Sequence, residues 1–112
     1  MKRERAEVGK LRSRENPPGI HRTTLAYSDD VMLCHFRMLK GAKIPLHSHP
    51  QVQTGYVVSG RVSFKRADGS SFEAGPGTSY VFDSREEHGA EVLEDAEVIE
   101  VFAPVRPEYA DN

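Results

Sequence analysis

His47 and His49 stand two residues apart, and Gln53 follows four residues later. In an extended strand alternate residues share a face, so two imidazoles and a carboxamide would project together from one strip of backbone. Nitrogen and neutral oxygen donors of this kind make up most of a coordination shell for a first-row divalent cation such as Zn, Ni, Mn or Fe. Taken alone, the two histidines also fit a water-satisfied loop flanked by Pro45 and Pro50. The same parity rule sorts the neighbouring stretch Val31 to Leu39. Met32, Cys34, Phe36 and Met38 form an unbroken apolar face, whereas His35 and Arg37 fall on the opposite one, which predicts an inward core face and an outward His35. Nothing nearby in sequence would lower the pKa of Cys34, so it reads as a core thiol, not a nucleophile.

The elements that must position these residues are short strands. Thr23 to Tyr27, Tyr56 to Val58 and Thr78 to Phe82 are rich in β-formers, and breakers recur at Asn16-Pro17-Pro18-Gly19, Ser28-Asp29-Asp30, Gly60, Asp68-Gly69, Gly75-Pro76-Gly77 and Glu94-Asp95. Asp-Gly at Asp68 marks a tight hairpin. Strands are expected at 21–27, 31–39, 52–59, 61–66, 71–74, 78–82, 88–93 and 96–103. No stretch carries a 3.6-residue period, so the pattern predicts an all-β sandwich or small barrel. A small closed barrel has room for side chains and one small ligand. Imidazoles aimed into such an interior need partners, and a cation supplies them.

At 112 residues the chain has the length of one domain, with 38% hydrophobic and 29% charged residues. A net charge of −2 and a pI of about 6.2 argue against a nucleic-acid binder. The start MKRERAEVGK lacks a signal-peptide apolar run, and no apolar stretch reaches membrane-spanning length. The expectation is a cytoplasmic protein with Cys34, the lone cysteine, reduced. Residues 1–18 alternate in charge and read as a solvated arm or edge segment, with the ordered domain over 19–112.

The series Gly41, five residues, His47, one, His49, three, Gln53, six, Gly60 resembles the first motif of the cupin superfamily, with Gln53 where Glu is usual. From Gly77 the spacing of the second motif lands on His88, although Asp83 stands where Pro is expected and Arg85 where Gly is expected. The resemblance implies a cupin jelly roll (a double-stranded β-helix), a divalent cation held by His47, His49, Gln53 and His88, and dimers formed through N-terminal strands. With Gln53 the donor set is neutral, so the cation would keep its full charge, which favours an anionic ligand and Lewis-acid chemistry.

The run from His49 to Gly60, with its Gln ligand, and the tail Phe102, Pro104, Arg106 resemble the KdgF-type cupins of pectin degradation, which open 4,5-unsaturated uronates to the linear 5-keto acid. Glu100 stands where that group has a catalytic Asp. The resemblance implies Glu100 as proton shuttle and Arg106 as carboxylate clamp, with a small anionic substrate. Glu100 also reads as a ligand-orienting residue or as a rim ion pair with Arg106. Tyr27, Tyr56, Tyr80, Phe82 and Phe102 are candidate pocket walls. A metal-dependent dioxygenase of the small cupin type and a non-catalytic binding module remain open beside the ring-opening enzyme.

Overall fold

The computed structural model describes residues 1–111; the expected domain end, Asn112, lies outside the described residues. Among the described residues eight strands run in chain order as β1 (Arg14–Glu15), β2 (Ile20–Tyr27), β3 (Met32–Met38), β4 (Lys43–His47), β5 (Val52–Arg66), β6 (Ser71–Ala74), β7 (Ser79–Phe82) and β8 (His88–Ala103), followed by a 3-10 turn at Pro107–Tyr109. All pairings are antiparallel. The sheet order is β1-β2-β3-β8-β5-β6, with β4 on β8 and β7 on β5.

The two long strands make the barrel. The first part of β8 pairs with β4 and its later part with β3, while β5 lies alongside it throughout. The first part of β5 pairs with β7 and the later part with β6. Two sheets therefore share β5 and β8, which pass from one to the other, and this is the jelly roll that the motifs imply.

Gly60 and Glu94-Asp95 do not end strands as expected. Both lie inside continuous strands, at a series of register shifts between Val57 and Val62. Gly60 has φ of +83°, a left-handed value, and a Cβ there would meet the backbone of Asp95 and Ala96. Glycine's freedom at this point lets the strand bulge and bend around its partner instead of stopping.

The core face of β3 is as the alternation predicts: Met32, Cys34, Phe36 and Met38 are all 5% exposed or less. His35 is on the other face, yet buried. Its Nε2 lies 2.7 Å from Glu97 Oε2, and Val8 and Leu11 of the N-terminal segment line the groove over it. That segment is an edge element, with β1 on β2 and an isolated bridge from Arg3 to Tyr27. Among the described residues no helix is long and apolar enough to cross a membrane.

Candidate metal centre and pocket

β4, the β4–β5 turn, β5 and β8 deliver the histidines and glutamine to one place. His47 ends β4 and pairs with His88, which opens β8. The ligating atoms of His47, His49 and His88 all lie within 4.8 Å of one another. Each ring is anchored through Nδ1 to a main-chain carbonyl two residues away: His47 to Pro45 at 2.9 Å, His49 to Gln51 at 3.0 Å, His88 to Glu86 at 2.8 Å. A carbonyl only accepts, so Nδ1 carries the proton and Nε2 carries the lone pair. Such outer anchors fix tautomer and ring orientation for metal binding.

Gln53, 5% exposed, completes the cluster. Its Oε1 sits 3.0 Å from His49 Nε2 and 3.1 Å from His88 Nε2. Its Nε2 donates to Glu100 Oε2 at 2.7 Å. Two imidazole lone pairs thus converge on an amide oxygen with no proton between them. Buried acceptors facing acceptors are unfavourable without a positive partner, and a divalent cation fits this donor set.

Burial favours the neutral form of His49 and His88. His88 is lowered to about 4 chiefly by burial, with the neighbouring histidines adding to it. His49 is lowered by burial and then by the Arg106 charge. The His88 ring stacks on Phe82, with centroids 4.4 Å apart and planes 4° from parallel. His49 meets Phe102 edge-on at 5.8 Å.

Beside this cluster a cavity of about 60 Å³ enters the barrel, lined by His47, Gln53, His88, Glu100, Phe102 and Arg106 among others. That is room for roughly four to six water-sized groups. Glu100 is 4% exposed. Burial raises its pKa, against the lowering effect of hydrogen bonds from Tyr80 and Gln53. Both donors address Oε2; among the described residues Oε1 has none. The Tyr80 phenol is itself pushed well above its ordinary pKa by burial and by the Glu100 charge, so it stays a donor.

Arg106 lies between aromatic rings, its guanidinium carbon 4.0 Å from the Tyr109 centroid and 5.1 Å from that of Phe102. Its ion pair is with Glu108 at 3.3 Å, and the alternative reading of Glu100 as its rim partner finds no such pair among the described residues. The guanidinium is held at the pocket by stacking, with its charge close to the cavity.

The candidate pocket walls divide. Phe102 lines the cavity. Tyr80 and Phe82 lie behind it, the first bonded to Glu100 and the second stacked on His88. Tyr56 is a correction: it is 48% exposed, because it stands an odd number of residues from Gln53 on the alternating strand β5 and so faces outward. Tyr27 is a second correction. It packs at the edge of the core under the Arg3 guanidinium, 5.3 Å above its ring, and does not line the cavity. Tyr109, Asn16 and Pro17 also line it; in the sequence Asn16-Pro17 marks only a breaker and Tyr109 nothing. They arrive from the two chain ends, and no local spacing announces that closure.

A family profile described as Cupin domain matches residues 34–102. L-ectoine synthase from Teredinibacter turnerae is 33% identical over 86 residues, covering 73% of this chain and 65% of the synthase. The chain thus spans just under two thirds of that enzyme's length. KdgF from Halomonas sp. superposes with a TM-score of 0.83 at 31% identity, over 91% of this chain and 95% of the other. An RmlC-like cupin from Shewanella frigidimarina gives a TM-score of 0.84 at 24% identity over 96% and 99% of the two chains, a likeness of fold alone. Profile, structural neighbours and the three-histidine cluster agree: this chain belongs to the cupin family.

Proposed function

We propose that the protein is a metal-dependent, non-redox enzyme that opens a 4,5-unsaturated uronate to its linear 5-keto form. The observation that carries this reading is the buried Glu100 carboxylate, joined through Gln53 to the histidine cluster and facing the same cavity as Arg106. Resemblance to KdgF in fold and sequence supports it.

The substrate is a cyclic enol ether bearing a carboxylate at C5. Arg106, braced by Tyr109 and Phe102, pairs with that carboxylate through its planar fork. Glu100, with a raised pKa and Oε1 open to the cavity, carries a proton and delivers it to C4. The resulting carboxylate takes a proton from the water that adds to C5. The hemiketal so formed collapses when the C5 hydroxyl proton passes to the ring oxygen and the C5–O bond breaks, leaving a ketone at C5. A divalent cation bound by His47, His49, Gln53 and His88 would supply Lewis-acid stabilisation of developing negative charge.

Unsaturated galacturonate, added to protein loaded with a divalent metal, should lose its enol-ether ultraviolet absorbance faster than in buffer. Glu100→Gln should lower the rate by about 10²–10⁴, the usual range for a general acid–base, while the metal stays bound. No acceleration by metal-loaded protein removes the reading. Full activity in the variant places the proton donor elsewhere. Oxygen consumption with a candidate substrate would favour the dioxygenase instead.

A further inference from the structure

Tyr80 and Glu100 lie on strands that do not touch each other. β5 runs between them, and Gly55 is the residue paired with both. Gly55 has no left-handed φ; what it provides is space. A Cβ at Gly55 would stand 2.8 Å from Tyr80 Cε2 and nearer still to the hydroxyl end of the ring. A strand-interior glycine of this kind marks a close approach. Through this gap the buried Tyr80 side chain crosses β5 and its hydroxyl donates to Glu100 Oε2. The Gln53 amide donates to the same oxygen at 2.7 Å, which turns the amide oxygen towards His49 and His88.

The chain of contacts has one direction of dependence. The three histidines are anchored by main-chain carbonyls, whereas Gln53 is oriented by a side chain that Tyr80 anchors. If Glu100 swings away, the amide is free to turn, and its hydrogens then face the imidazole lone pairs. The set would lose its oxygen donor.

We infer that Tyr80 is a positioning residue for the metal site: reaching over Gly55, it clamps Glu100 and thereby fixes Gln53 as the fourth ligand. This rests on the ion-binding part of the proposed function and not on the substrate.

The test uses the full chain, stripped with chelator and titrated with Ni²⁺, alongside the ligand-field spectrum of the Co²⁺ form. Tyr80→Phe should weaken Ni²⁺ binding about tenfold, the lower end of the effect of removing an outer-shell partner, and should alter the Co²⁺ spectrum. Gly55→Ala keeps the hydroxyl but displaces the ring, and should do the same. The double variant should bind no more weakly than the poorer single one, because both break one link. Tyr56→Phe, on the outer face, should change neither readout. Parental Ni²⁺ affinity and Co²⁺ spectrum in both Tyr80→Phe and Gly55→Ala overturn the inference. Weakened binding in a protein that opens no uronate supports it while removing the substrate reading.

Discussion

The donor set makes a quantitative prediction about heat stability. Ligand that binds only the folded state stabilises it by about 2.7 kcal/mol at 100 times its dissociation constant. For a chain of 112 residues, an unfolding entropy of about 2.1 cal/mol/K per residue converts this to a rise of ~11 °C in Tm. Stripped protein titrated with Ni²⁺ or Zn²⁺ in a scanning calorimeter should show that rise. His88→Gln removes a ligand of similar bulk that is stacked on Phe82. If it weakens binding by about 100-fold, at least the cost of losing an outer-shell partner, about 0.4 kcal/mol remains, or ~2 °C.

The effect of pH follows from the same ring. Folded His88 titrates at about 4 instead of 6.5, so between those values the unfolded chain holds the extra proton. Stripped protein is therefore fully stabilised above about 6.5 and loses that contribution as pH falls towards 4, by at most about 3 kcal/mol. A Tm that responds to neither Ni²⁺ nor Zn²⁺, or a full response in His88→Gln, would refute the assignment of His88 as a ligand.

Three further outcomes follow. Arg106→Lys keeps the charge but loses the planar fork stacked on Tyr109; KM for the uronate should rise by roughly 10- to 100-fold, matching the about 1.5–3 kcal/mol of a charged hydrogen bond, and an unchanged KM would remove the clamp. Arg85 has φ of 65°, a strained value for a residue with a Cβ, so Arg85→Gly should stabilise the protein by about 0.5–1 kcal/mol in urea titration; a loss of stability would show that the side chain contributes more than the backbone costs. Cys34 is fully buried, and burial pushes its thiol up to about 12. Its raised pKa gives stability that is present below the unfolded value near 9 and lost as pH rises towards 12. Native protein should resist a disulfide reagent at about pH 8.5 and react once unfolded; rapid native labelling would contradict the burial.

The residues that meet at the cluster were legible through the spacing of the motifs. His47, His49, Gln53 and His88 fall at the positions the cupin motifs imply, but not on one strand face as the even step predicts: β4 ends at His47 and β5 starts at Val52, so a turn carrying His49 folds the donors together. Parity within β5 does hold for Tyr56, which lies three positions on from Gln53 and so faces outward. What stayed hidden depends on which strands become neighbours. That Tyr80 reaches Glu100 requires β7, β5 and β8 side by side with Gly55 between them, and no local pattern encodes that order. Gly60 shows a different limit: glycine and a following Arg-Val-Ser run look like a stop and restart, whereas the long-range pairing with β8 carries the strand through the bend. Burial of His35 likewise comes from Glu97 and from the N-terminal segment, both remote in sequence.

Three of the four donors take their proton pattern from the peptide backbone, through Pro45, Gln51 and Glu86. Replacing the side chains of those three positions leaves the carbonyls where they were, so the imidazole tripod is robust to drift around it. The amide is the exception, since it answers to the pocket acid. A redesign that removes the acceptor oxygen at position 100 therefore also edits the coordination sphere, whereas Glu100→Gln keeps an oxygen for the Gln53 amide.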